Sequence, residues 1–275
     1  MKPLNANSPN TAGTKLGDVY YNEDFYNSQM ELSIKSAEIV LPAILEIIPN
    51  VNSAVDFGCG TGAWLSVLKR LGVNEIKGYD GAWAQKKLLI PQECFTAIEF
   101  DKEVVAAEKK YDLAISLEVA EHLTEQSAEK FVEILTNASD IVLFSAAIPL
   151  QGGSNHINER WQSYWYDIFN KYGFTGTDFP RKKLWNEHNV ACTYRQNIVL
   201  YVKKGKIETT AIPREHFDCN EQIDCVHPEL YLIKMNEPPP LLPLLSLYKQ
   251  AVKRTIRKII GEKMANWIRD SLNFR

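Results

Sequence analysis

Three groups of residues in this 275-residue chain have the types and spacing to do chemistry. The first is Asp56-Phe57-Gly58-Cys59-Gly60-Thr61-Gly62. Glycine lacks a Cβ and tolerates positive φ, so alternating glycines at a helix start let backbone N–H groups come close to a ligand. A dinucleotide fingerprint spaces its glycines as G-x-G-x-x-G. Here the spacing is G-x-G-x-G, with a carboxylate two residues ahead of the first glycine. That carboxylate suits a ligand carrying an ammonium group better than one carrying a pyrophosphate.

The second group is Glu118-Val119-Ala120-Glu121-His122. Positions i, i+3 and i+4 share a helix face, so Glu118, Glu121 and His122 can converge. Two carboxylates and an imidazole form a mixed oxygen and nitrogen set, suited to Mg²⁺ or Mn²⁺. The plainer reading is that Glu118 marks a strand end and His122 packs on the core. The third group follows Gly152-Gly153, where Asn155, His156, Asn158 and Glu159 crowd together. A histidine with a pKa near 6.5 can serve as base or ligand. Alternatively this is a helix-entry loop, with Asn158 as N-cap and Glu159 at the positive helix end. Trp161, Tyr164 and Trp165 follow at helical spacing, either as the wall of an acceptor pocket or as core. Trp83 lies against a bound ligand or covers a sheet edge.

These groups must be positioned by strands and helices that the hydrophobic pattern places. Strands are expected at Ala54–Asp56, Glu75–Tyr79, Cys94–Phe100, Asp112–Leu117, Ile141–Ser145 and Gln196–Val202. Four of them end in an acid: Asp56, Asp80, Asp101 and Glu118. Open α/β sheets bind ligands at that carboxyl edge, and a carboxylate about 20 residues past a glycine turn can accept both ribose hydroxyls. Helices are expected at Met30–Leu41 and Ala43–Ile48 with Pro42 between them, at Ala63–Lys69, and near Ala128–Leu135 and Trp161–Tyr172. Alternating strands and helices over 51–205 predict a doubly wound parallel sheet. Residues 1–50 form a polar N-terminus and a helical cap, 206–246 an irregular Pro-rich linker, and 247–275 a basic amphipathic helix.

Hydrophobic content of 45% and charged content of 24% are those of an ordinary globular chain. No leader-like apolar segment opens the chain, and five cysteines lack C-x-x-C spacing, so a reduced cytoplasm is expected. The net charge of −3 conceals an asymmetry. Residues 247–275 carry eight Lys/Arg against two acids, a net +6, which leaves −9 for the remainder. An acidic body is a poor partner for nucleic acid. The basic helix predicts peripheral contact with the inner face of a membrane or with a protein.

The glycine pattern and the ordered acidic strand ends resemble those of class I methyltransferases over about residues 51–205. The resemblance implies an α/β fold, a Rossmann-like doubly wound sheet of seven strands with the last antiparallel. It implies S-adenosylmethionine as cofactor, held by Asp56, Gly58, Gly60, Gly62, Asp80, Asp101 and Leu117, with Asp80 at the ribose and Asp101 at the adenine. The E-x-x-E-H run is similar to that of ubiquinone-pathway O-methyltransferases and of small-RNA 2′-O-methyltransferases, where it binds a divalent metal. By that likeness Glu118, Glu121, His122 and His156 are metal ligands, and His156, His122 and Glu118 the catalytic group. The stretch Ser145–Trp165 resembles uncharacterised bacterial methyltransferases of surface-polysaccharide loci. The expected activity is O-methylation of a sugar or other small hydroxyl acceptor. The alternatives are 2′-O-methylation of RNA and a non-catalytic cofactor-binding scaffold.

Overall fold

The computed structural model of the chain describes residues 23–101, 107–217, 223–236 and 248. The expected amphipathic helix at 247–275 lies outside these, Tyr248 apart, as do the first 22 residues and 237–246. The strands are β1 (Ser53–Phe57), β2 (Glu75–Asp80), β3 (Phe95–Ala97), β4 (Leu113–Leu117), β5 (Ile141–Ser145), β6 (Phe174–Thr177) and β7 (Val199–Lys203). They form one sheet in the order β3-β2-β1-β4-β5-β7-β6. β7 runs antiparallel to both neighbours, and the pairs among β1 to β5 are parallel. Seven strands with an antiparallel last strand are what the sequence leads one to expect.

The central strands β1, β4, β5 and β7 are buried on both faces, which is why they read as largely apolar runs. Alternation sends Ala54, Leu143 and Leu200 into one layer and Val55, Phe144 and Tyr201 into the other. The first layer is completed by α1 (Glu23–Ile47) and α2 (Ala63–Arg70), through Val40, Leu41, Ile44, Leu65 and Leu68. The second is completed by α3 (Glu125–Ala138) and α4 (Gln162–Lys171), through Phe131, Leu135, Trp165 and Phe169. Shorter helices α5 (Phe179–Leu184) and α6 (Cys192–Asn197) lead into β7, and α7 (Pro228–Asn236) follows later. No helix among the described residues is long and apolar enough to cross a membrane.

Two expectations change. Pro42 does not divide α1, which runs through it. Proline removes one backbone donor, and both Pro42 and Glu38, whose carbonyl loses its partner, are exposed to water. The expected strand from Gln196 begins only at Val199, because Cys192–Asn197 is helical. The sequence places the domain's end at 205; the compact unit that holds the sheet ends at Leu230, and a second unit starts at Tyr231. Residues 206–217 and 223–230 are packed, with Phe217, Ile223 and His227 buried.

Candidate active site

The glycine turn is drawn over the end of β2 by its own backbone. Gly58 and Cys59 both donate to the Tyr79 carbonyl, at 2.8 and 3.1 Å. Gly60 N–H then donates to Asp80 Oδ2 at 2.7 Å, and Gly81 N–H to Oδ1 at 2.6 Å. Trp83 adds a side-chain hydrogen bond to the same carboxylate. All three glycines of the turn have positive φ, between 54° and 88°. A Cβ on Gly58 would come within 2.3 Å of the Val119 side chain, whereas a Cβ on Gly60 would meet nothing within 4 Å. The turn is therefore closed against β4's outgoing loop at Gly58 and open at Gly60, where a ligand can approach the backbone.

Acid is concentrated at this edge. Asp56 is almost fully buried, and burial with the neighbouring Asp80 charge raises its carboxyl well above the usual range. Burial also raises Asp80, against the pull of its N–H partners. A positive charge placed beside two such carboxyls would favour their ionised forms. Leu117 ends β4 as a buried apolar residue, next to the turn that carries Glu118. Asp101 is engaged by the start of α3. β3 stops at Ala97, and the Asp101 carboxylate takes hydrogen bonds from Thr124 and, at 2.6 Å, from the Ser127 hydroxyl. It occupies the N-terminus of α3, as acids do at positive helix ends.

Beyond β4, Glu118 adopts φ 56° and Ala120–His122 forms a single 3₁₀ turn. In that geometry the four expected ligands separate into one and three. Glu118 turns to a buried amide cluster, accepting from Gln151 Nε2 at 2.9 Å and Asn197 Nδ2 at 3.1 Å. Gln196 closes the cluster by donating to Gln151 and Asn197. Glu121 turns the other way, with no exposed surface. Neither of its oxygens has a well-formed hydrogen bond among the described residues. Burial, then the Glu118 charge, raises its carboxyl well above the usual range, and nearby backbone N–H groups only temper this.

The loop after β5 brings the third group onto the second. Ile157 and Asn158 N–H both donate to the Glu121 carbonyl, at 2.9 and 3.0 Å. His156 is thereby set edge-to-face on His122, with ring centres 4.8 Å apart, and its Nε2 lies 4.0 Å from Glu121 Oε1. One ligand atom from each of Glu121, His122 and His156 falls within 4.8 Å of the others. Burial and the second imidazole lower the His122 pKa, which favours the neutral ring a metal needs. A buried carboxylate with no well-formed hydrogen bond, beside two imidazoles, fits a divalent cation.

Several contributors were not legible in the sequence. Gln151, Gln196 and Asn197 hold Glu118, and the only signal is two adjacent amides entering an apolar strand. Tyr194 packs on Trp64 and meets the Ser33 hydroxyl. Asn158 is not an N-cap, because α4 starts at Gln162; its side-chain Oδ1 accepts from Arg160 Nε instead. Of the aromatic stripe, Trp165 is core and Trp161 is exposed.

A family described as "Methyltransferase domain" matches residues 26–170, more than half of the chain. No curated protein matches. Among solved structures, human N-acetylserotonin methyltransferase in complex with SAM is 17% identical with a TM-score of 0.45, covering 65% of this chain and 55% of that one. An O-methyltransferase family protein from Burkholderia thailandensis is 11% identical with a TM-score of 0.48, over 65% and 58%. Small RNA methyltransferase HEN1 is 16% identical with a TM-score of 0.43, over 72% and 27%. The chain thus spans little more than half the length of the first two.

Proposed function

This chain belongs to the methyltransferase-domain family, and we propose that it methylates a hydroxyl oxygen of a small acceptor, a sugar hydroxyl foremost, using S-adenosylmethionine and a divalent cation. S-adenosylmethionine, when bound, supplies an electrophilic methyl group on a positively charged sulfur. The chain's part is to hold donor and acceptor in line and to take up the acceptor's proton. Asp56 and Asp80 offer carboxylates to a cationic, ribose-bearing ligand, and the open space above Gly60 admits it. Glu121, His122 and His156 would hold Mg²⁺ or Mn²⁺, whose chemistry is to make a nearby hydroxyl more acidic.

One observation carries the oxygen acceptor and the cation together: the Glu121 carboxylate, fully buried and with no well-formed hydrogen bond among the described residues, opposite His156 Nε2 at 4.0 Å. Burial without a partner charge favours the neutral acid, and a bound cation is what would let this carboxylate ionise in place. The preference for a sugar rests on the resemblance of Ser145–Trp165 noted above. The −9 balance outside 247–275 puts phosphate-rich RNA second.

The test is methyl transfer from labelled S-adenosylmethionine to a panel of sugar, phenol and RNA acceptors. Activity on the productive acceptor should fall with a chelator and return with Mg²⁺ or Mn²⁺. Full activity in chelator with an impaired His156→Ala would sink the cation and leave His156 as base. Full activity in both His122→Ala and His156→Ala would sink the site.

A further inference from the structure

One carboxylate clips the loop between β5 and α4 at three points. Glu159 Oε2 accepts the Leu150 N–H at 2.8 Å, and its Oε1 accepts the Gly152 N–H at 2.6 Å. The same Oε1 lies 3.0 Å from His156 Nδ1. Leu150, Gly152 and Asn155 all have left-handed φ, between 61° and 69°. For residues other than glycine that conformation costs on the order of 1–2 kcal/mol and persists only where the surroundings hold it.

The pairing decides more than loop shape. Glu159 Oε1 already accepts a backbone N–H, so it meets His156 as an acceptor, and a neutral imidazole must then carry its proton on Nδ1. The lone pair is left on Nε2, the nitrogen that faces Glu121 Oε1 at 4.0 Å. The ring is closed in from one side by Gly153, where a Cβ would lie 2.3 Å from Nε2. His156 and Glu159 side chains are only 12% and 19% exposed, so little water competes for the bond.

We infer that Glu159 is the positioning residue of the site: it selects the Nδ1–H tautomer of His156 and aims the Nε2 lone pair into the space between Glu121 and His122. The inference rests on the cation reading only for what that lone pair holds. Second partners of this kind are worth about 10–100-fold in metal affinity.

The experiment uses the full chain with ¹⁵N-labelled histidine, free of metal and at alkaline pH, with His156→Ala to assign the signals. The expected parent spectrum shows His156 protonated on Nδ1. In Glu159→Gln the amide can donate to Nδ1, so the spectrum should move toward the Nε2–H form. Mn²⁺ affinity, read by electron paramagnetic resonance, should fall tenfold or more while S-adenosylmethionine affinity stays within twofold. A parent spectrum showing Nε2–H, or one unchanged by Glu159→Gln, overturns the inference whatever Mn²⁺ does. The expected tautomer shift in a parent that binds no Mn²⁺ overturns the cation reading and supports the role of Glu159. If Glu159→Gln unfolds, Glu159→Asp replaces it, keeping the charge but withdrawing the carboxylate by one methylene.

Discussion

Asp56 and Asp80, the carboxylates proposed to hold the cofactor, differ in what they do for stability. Asp56 is buried beside Asp80, and its carboxyl is held well above the usual range by burial first. A raised carboxyl pKa favours folding below the unfolded value, and that favour is lost as pH rises through the folded one. Asp56→Asn should therefore stabilise the ligand-free protein at neutral pH by at least about 1 kcal/mol, or roughly 2–4 °C in Tm. The gain should vanish in acid, and S-adenosylmethionine affinity should fall at neutral pH. Thermal scans at several pH values, with and without ligand, check both signs. Asp80 contributes differently, because its oxygens hold the Gly60 and Gly81 N–H groups. Charge-assisted bonds of this kind contribute about 1.5–3 kcal/mol each. Asp80→Ala should weaken the cofactor by at least about tenfold in calorimetry, by loosening the turn as well as by losing the ribose acceptor. Unchanged affinity would remove that assignment.

At the scale of elements, much was legible because backbone chemistry is written in residue types. Gly58, Gly60 and Gly62 signal the turn, and the apolar run before Glu118 signals a parallel strand buried on both faces. Side-chain direction was less legible. The 3₁₀ turn at Ala120–His122 and the positive φ of Glu118 are tertiary outcomes, and they send Glu118 away from Glu121 despite helix-like spacing. The strand expected to reach Phe100 is shorter for a related reason: β3 ends at Ala97, and the Asp101 side chain is bonded to Ser127 of α3. β6, residues 174–177, was not marked at all, for Phe174-Thr175-Gly176-Thr177 has too few apolar residues to stand out. The two central contacts of the glycine turn make a paired prediction. Gly58→Ala drives a methyl into Val119 at a φ of 88° and should cost about 1–3 kcal/mol of stability. Adding Val119→Ala should recover the clash but not the backbone strain. Gly60→Ala meets nothing, so its stability cost should stay near 1 kcal/mol while cofactor affinity falls. Urea unfolding beside calorimetry separates the two; equal stability losses would mean the turn is not open at Gly60.

For the whole molecule, the question is what the catalytic unit needs beyond β7. Phe217, Ile212 and Ile207 join the apolar layer beneath the sheet, while Ile223 joins the other. The Phe217 carbonyl accepts from Thr175 on β6, and the Ile223 carbonyl from the buried Arg181. His227 N–H donates to Gln196, which reaches Glu118 through Gln151 and Asn197, so the segment is wired to the site. Arg195, also buried, bonds the Val190 carbonyl and Glu229. Burying four large apolar side chains contributes about 1.5–3 kcal/mol each, together comparable to the entire stability of a domain. A chain ended after Asn236 should therefore fold cooperatively and bind S-adenosylmethionine as tightly as the full chain, with both groups of basic and apolar residues in 247–275 gone. A chain ended after Gly205 should be insoluble or lack a cooperative transition. The same Asn236 truncation addresses the basic helix expected from sequence: if it meets an anionic leaflet, only the full chain should sediment with acidic vesicles. Equal sedimentation would discard the membrane contact. A Gly205 chain that melts cooperatively and binds cofactor would instead return the domain boundary to where the sequence first put it.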